Sequence, residues 1–125
     1  MTAGTWVAFL SAAAVGAPLR YIVDGLVSDR TDGPFPWGTF VVNISGCLAL
    51  GLLTGLGLYH GLSGTMRTVI GTGGLGAYTT FSTFSYETVR LAEEGATTEA
   101  VRNAVGSFVI GLAAASAGLA LAAVV

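Results

Sequence analysis

Gly71-Thr72-Gly73-Gly74-Leu75-Gly76-Ala77-Tyr78-Thr79-Thr80-Phe81-Ser82-Thr83-Phe84-Ser85 lies in the middle of an apolar segment that runs from about Thr65 to Val89. Four glycines followed by a run of Thr and Ser are poor helix material. Gly loses the most backbone entropy on ordering, and Ser and Thr compete for backbone hydrogen bonds. In a soluble protein the stretch would read as a loop. In a bilayer, non-helical backbone survives only where protein or a water-filled cavity covers it. Broken helices of this kind place backbone carbonyls and amides around an ion. The stretch therefore predicts a helix break near the midplane, from about Gly73 to Thr80. Phe81 and Phe84 then stand one turn apart on one face of the second half-helix.

The rest of the chain supports a membrane setting. Of its 125 residues 53% are hydrophobic and only 10% charged, with a mean hydropathy of +0.75. Soluble domains are roughly a quarter charged. At about 20 apolar residues per span, the chain has room for four spans and short loops, and no separate soluble domain is predicted. The first segment has no basic leader and its apolar run is too long for a signal peptide, so it is predicted to be retained. Seven acids face five arginines, with no lysine; no basic patch for nucleic acid is present. The single cysteine, Cys47, lies inside an apolar span, where it reads as a small packing residue rather than a metal site.

The spans are expected at about 5–27, 37–59, 65–89 and 100–124, giving an all-α membrane protein of one domain. In the first span Ala12, Gly16 and Arg20 share a face, Pro18 lies between them, and Trp6 and Tyr21 mark the interfaces. Arg20 falls short of the span's end. It either snorkels to the headgroups or supplies a fixed positive charge at the mouth of a polar cavity, with Asp24 one turn on as a pairing partner. In the second span Thr39, Asn43, Cys47, Gly51 and Gly55 share a face that is polar at one end and carries a Gly-x-x-x-Gly pair at the other. Asn43 is either interhelical glue or a donor to something passing through. His60 is given no role beyond a solvated helix end, and Glu87 and Arg90 mark the polar end of the third span. Thr98 is a candidate cap for the fourth, where Asn103, Ser107 and Gly111 form a polar, small stripe continued by Ala114, Gly118 and Ala122.

The polar groups within the spans are neutral donors: Asn43, Thr39, Thr79, Thr80, Ser82, Thr83, Asn103 and Ser107. No carboxylate is expected at mid-depth, which counts against a proton-coupled cation exporter. Hydroxyl and amide donors with Arg20 near one mouth suit an anion. One 125-residue bundle is too small to enclose a pore, and its small-residue faces predict assembly, most simply as a dimer.

Thr79-Thr80-Phe81-Ser82-Thr83-Phe84, preceded by Gly73 and Gly76, resembles the third-span signature of the bacterial and archaeal fluoride channel family, Fluc or CrcB. Gly16 through Arg20 resembles the first-span Gly-Ala-x-x-Arg of that family, and Gly38-Thr39-Phe40-Val41-Val42-Asn43 with Gly46 resembles its second-span Gly-Thr-x-x-x-Asn. The resemblance covers essentially the whole chain. It implies an antiparallel dimer with two fluoride pores and a central structural Na+. The backbone carbonyls of Gly76 and Thr79 would hold that Na+ with the same groups of the partner. Phe81 and Phe84 would be the pore phenylalanines, with Asn43 orienting them and donating to fluoride. Thr39 and Ser107 would line a polar track, in which Thr80, Ser82, Thr83 and Arg20 are further candidates. Ala77, Gly74, Asn103 and Gly111 depart from the family's usual residues. Fluoride is tightly hydrated, and the positive edge of an aromatic ring offers a replacement for lost water in a narrow slot.

The implied function is a passive fluoride-selective channel of the cell membrane that exports cytoplasmic fluoride and confers fluoride resistance. The alternatives are a small dimeric multidrug or cation exporter and a non-transporting accessory subunit. Arg30, Arg90 and Arg102 flank loops 1–2 and 3–4, with Arg20 toward the same side, while loop 2–3 has only Arg67. The positive-inside rule then places loops 1–2 and 3–4 in the cytoplasm and both termini outside. That bias predicts one preferred orientation and a choice between a homodimer and a heterodimer with an oppositely oriented relative.

Overall fold

A computed structural model describes residues 1–125, and its regular structure is helical throughout. Helix α1 covers Ala3–Ser28 and begins where the Thr2 hydroxyl accepts from the Thr5 amide at 3.2 Å. Helix α2 covers Trp37–Tyr59, directly after Pro36. A third helical run, α3, covers residues 64–78. It is built from an α turn (Gly64–Arg67), a wide π segment with i→i+5 bonding (Thr68–Leu75) and a last α turn (Gly76–Tyr78). Helix α4 covers Ser82–Glu93. Helix α5 covers Thr97–Val124, with a second π segment at Arg102–Gly106. The reversals between α2 and α3 and between α4 and α5 use Gly61 (φ 69°) and Gly95 (φ 80°), in the left-handed region that side chains disfavour.

Three of these helices, α1, α2 and α5, are long and apolar enough to cross a bilayer. At 1.5 Å per residue α1 is about 39 Å long, against a hydrocarbon core of about 30 Å. Their outward faces carry exposed Val7, Leu10, Val15, Leu112 and Leu121. The protein is thus a multi-pass membrane protein.

Small residues set how closely the helices approach. On α2, Gly51 lies against the Ala115 backbone and Gly55 against Ala122 of α5; a Cβ at Gly118 would fall 2.6 Å from the Leu52 amide. On α1, Gly16 lies against the Gly74 carbonyl of α3, and a Cβ at Gly73 would fall 2.9 Å from the Phe9 carbonyl. These contacts revise the role of the glycine run. Helical backbone does not give way at Gly73; it continues to Tyr78, with Gly76 at φ −61° and ψ −38°. Gly73 and Gly74 serve close packing on α1 instead. Non-helical backbone is confined to residues 79–81, where Thr79 turns extended (φ −78°, ψ 165°). Pro18 sits inside an uninterrupted α1. Thr98 does not cap α5: the helix starts one residue earlier, after Ala96, without a side-chain cap.

Candidate functional site

Three residues between α3 and α4 organise the site. With Thr79 extended, the next amide, that of Thr80, cannot bond to the Gly76 carbonyl four residues back as a helix would require. Asn43 on α2 takes it: Asn43 Oδ1 accepts from the Thr80 amide at 2.9 Å, and Asn43 Nδ2 donates to the Thr80 carbonyl at 2.8 Å. Arg20 on α1 holds the other edge of the same Thr79–Thr80 peptide, donating from Nη1 to the Thr79 carbonyl at 2.9 Å. The expected Arg20–Asp24 pair is absent, because the guanidinium reaches the interruption instead; Asp24 Oδ1 accepts from the Ser28 hydroxyl at 3.2 Å. Gly46 leaves room for the Thr79 methyl group. Behind the interruption, the buried Tyr78 shares a 2.8 Å hydrogen bond with Ser45.

The Thr80 hydroxyl then starts α4. From one residue before the N-cap Phe81, it accepts from the Thr83 amide at 3.2 Å and donates to the Thr83 hydroxyl at 3.0 Å, satisfying a free amide of the first turn. This aligns Phe81 and Phe84, whose ring centroids lie 5.9 Å apart with planes at 46°. Phe81 is 80% exposed. Both rings face a cleft of about 420 Å³ that is also lined by Asn43, Cys47, Gly76, Thr79, Thr80, Ser107 and Phe108. Ser107 belongs to a polar chain beside Phe84. It donates to Asn103 Oδ1 at 3.4 Å, Asn103 Nδ2 donates to the Thr88 hydroxyl at 2.8 Å, and that hydroxyl donates to the Phe84 carbonyl at 2.8 Å. Asn103 is 1% exposed and sits in the π segment of α5.

A second cavity, about 230 Å³, adjoins the first through Thr80 and is lined by Arg20, Tyr21, Asp24, Thr39 and Thr83. Seven residues singled out from the sequence thus meet around the main cleft: Asn43, Gly76, Thr79, Thr80, Phe81, Phe84 and Ser107. Arg20, Thr39 and Thr83 lie around the adjoining cavity, and Ser82 is exposed and lines neither.

Glu87 departs from its expected place at the polar end. It turns inward, and its Oε1 accepts from Thr39, itself 3% exposed, at 3.0 Å, while Oε2 is buried with no hydrogen-bond partner. Its spacing from Phe84, i to i+3, was the available signal that it shares their side of α4. His60 is not merely solvated: its Nε2 donates to the Ala122 carbonyl of α5 at 2.7 Å.

No group of His, Cys, Asp and Glu side chains is placed to hold a metal. The hard oxygens available are carbonyls at the end of α3, the negative end of a helix. The Gly76 carbonyl is released from its helical donor by Asn43, and the Thr79 carbonyl keeps a second lone pair beside Arg20. This donor set fits a hard monovalent cation rather than a transition metal.

Hydroxyls, an amide and phenylalanine rings line a cleft between membrane helices, an arrangement that suits an ion in a polytopic protein. The comparisons with known proteins give the family. Residues 7–119 match the model described as "CrcB-like protein, Camphor Resistance (CrcB)", and the chain belongs to this family. A relative from Streptomyces avermitilis named Fluoride-specific ion channel FluC 1 is 52% identical over 114 residues, covering 91% of this chain and 92% of its own. One of the same name from Frankia casuarinae is 46% identical over 122 residues, 94% and 95% of the two chains. Fluoride-specific ion channel FluC 2 of Mycolicibacterium paratuberculosis is 47% identical over 121 residues, 97% and 96%. These are names of channels, not of enzymes.

Proposed function

We propose that this chain forms a passive fluoride-selective channel of the plasma membrane, which lets fluoride accumulated in the cytoplasm leave and so confers fluoride resistance. The observation that carries this reading is the cleft in which the Phe81 and Phe84 rings stand beside Thr80, Asn43 and Ser107 with no carboxylate among its lining residues. A small anion entering it exchanges water for ring edges and one remaining amide N–H of Asn43, and the Thr80 and Ser107 hydroxyls reach it by turning from Thr83 and Asn103. None of these groups is charged, so the ion is held loosely enough to leave. Arg20, fixed on the Thr79 carbonyl, contributes positive potential from the adjoining cavity.

The segment 64–93 crosses the bilayer as the third of four spans in this reading, with residues 79–81 near the midplane. Phe81 and Phe108, 80% and 72% exposed, are then covered by a second copy or an oppositely oriented relative in an antiparallel dimer. The names FluC 1 and FluC 2 among the relatives fit chains that occur in pairs. The Gly76 and Thr79 carbonyls, with those of the partner, hold a structural Na+. Bound there, Na+ supplies a fixed positive charge that favours an anion nearby.

A second reading draws on Glu87. Its inward carboxylate with one unpartnered oxygen is a group that a proton-coupled exporter of cations or drugs would use. Fluoride efflux from liposomes holding the purified chain separates the two. The channel reading expects rapid efflux that excludes chloride and needs no proton gradient. Efflux that stops when the proton gradient is collapsed selects the exporter, and a silent protein that forms the dimer selects an accessory role.

A further inference from the structure

We infer that Arg67, with Thr72, forms an anion-collecting site at the mouth opposite Arg20; this rests on the fluoride-channel reading of the main cleft.

Five arginines are present, and four have polar partners. Arg20 binds the Thr79 carbonyl, Arg30 binds the Leu26 carbonyl, Arg90 pairs with Glu94 and Arg102 pairs with Glu99. The Arg67 guanidinium has neither a hydrogen bond nor an ion pair. Its stem lies against Gly57 of α2, where a Cβ would fall 2.8 Å from Nε and 3.1 Å from Cζ. Gly57 is therefore the space in which this side chain rests, on the wall of a cavity rather than out in the lipid.

That cavity measures about 310 Å³ and is lined by Arg67, Thr54, Thr72, Leu50, Leu53 and Gly71. No carboxylate borders it. Thr72 has a hydroxyl with no protein partner, a free donor beside the guanidinium. Leu50 and Gly71 also line the main cleft, so the cavity and the phenylalanine slot share a wall. A hydrated anion held here stands one step from the rings that would strip its water.

Within one chain, no acidic side chain shares the end that carries Arg67. The path of the chain puts Asp24, Asp29, Asp32, Glu87, Glu93, Glu94 and Glu99, which are all seven acidic side chains, at the end of the helices that carries loops 1–2 and 3–4. The other end has Arg67 and His60 as its only titratable cationic side chains, and His60 is tied to Ala122. In the antiparallel dimer each membrane face then presents the acid-rich end of one protomer and the Arg67 end of the other, and an anion is drawn to the guanidinium at its low-dielectric wall, where fields focus.

The test is a charge series at one position, Arg67→Lys, Arg67→Gln and Arg67→Glu, with fluoride flux measured at low and high ionic strength. Wild-type flux establishes the channel reading first; if wild type is silent, that reading fails and the inference falls with it. Given wild-type flux, the site predicts wild type and Lys about equal, Gln lower by about threefold to tenfold, and Glu lower still at low salt. The differences shrink at high salt, where the Debye length falls to about 3 Å. Equal flux across the series overturns the inference. So does a loss that persists at high salt or that Lys shares with Gln, since either marks a packing role. Size-exclusion elution of each variant confirms that the assembly compared is the same.

Discussion

Asn43 clasps a single residue at two points, donating to the Thr80 carbonyl at 2.8 Å and accepting from the Thr80 amide at 2.9 Å. The side-chain amide thereby replaces a strand-like neighbour for one residue and keeps the Thr80 amide from the Gly76 carbonyl. Replacing Asn43 with Asp keeps the acceptor and sets a second carboxylate oxygen against the Thr80 carbonyl. The expected cost is about 1–3 kcal/mol, the penalty for a buried group deprived of its partner. Thermal unfolding in Na+ and in N-methylglucamine checks it. Wild type should be more stable in Na+, and Asn43→Asp should lose that difference together with fluoride flux. A variant that keeps both would remove Asn43 from the site.

The phenylalanines offer a contrast between function and stability. Phe81 is 80% exposed in the single chain, so Phe81→Ile should change unfolding of the protomer by less than about 0.5 kcal/mol. Its ring edge is what the proposed pore uses, and an aliphatic side chain has none. A loss of about 1.4 kcal/mol at the crossing corresponds to roughly tenfold in rate. Fluoride electrode measurements on Phe81→Ile and Phe84→Ile should therefore fall at least that far while the assembly is retained. Unchanged flux would return both rings to simple packing.

The class of fold was legible because hydropathy and the four apolar runs leave a chain of this length no alternative to helices. The residue set around the cleft was legible because Asn43, Thr80, Phe81 and Phe84 fall in short patterns whose spacing survives on a helix. The extent of the interruption was not. Glycine signals both a loose backbone and a close contact, and Gly73 and Gly74 turn out to serve contact with α1, which only the fold brings near. Glu87 was misplaced for a similar reason. A carboxylate near a span's end is ordinarily solvated, and its inward turn depends on Thr39, 48 positions away in sequence.

Gly16 tests the packing reading directly. A Cβ there collides with the Gly74 carbonyl, whereas one at Gly25, nine residues along the same helix, meets nothing within 4 Å. Gly16→Ala should lose about 1–3 kcal/mol through overpacking. Gly25→Ala should gain up to about 1 kcal/mol of helix propensity. Unfolding midpoints of the pair check this; equal shifts would show that α1 and α3 are free to separate.

Thr39 and Glu87 form a part-buried hydrogen-bonded pair. Thr39→Val keeps the shape and removes the only donor to Glu87, whose second oxygen has none. A destabilisation of about 1–3 kcal/mol is expected. Glu87→Gln removes the charge, and the double variant should cost less than the two single ones added, by about 0.5–3 kcal/mol of coupling. Strict additivity in the unfolding energies would show that the two side chains act separately.

Orientation follows from the arginines, because the positive-inside rule counts basic residues close to the spans and gives acids little weight. Arg30, Arg90 and Arg102 mark one end of the helices and Arg67 the other. Reporters fused to the C-terminus should therefore read outside the cytoplasm, and adding Thr65→Lys and Met66→Lys beside Arg67 should even the balance and give both orientations. A wild-type fusion that reads equally on both sides would establish dual topology. The antiparallel partner would then be the chain itself, and no second gene product would be needed.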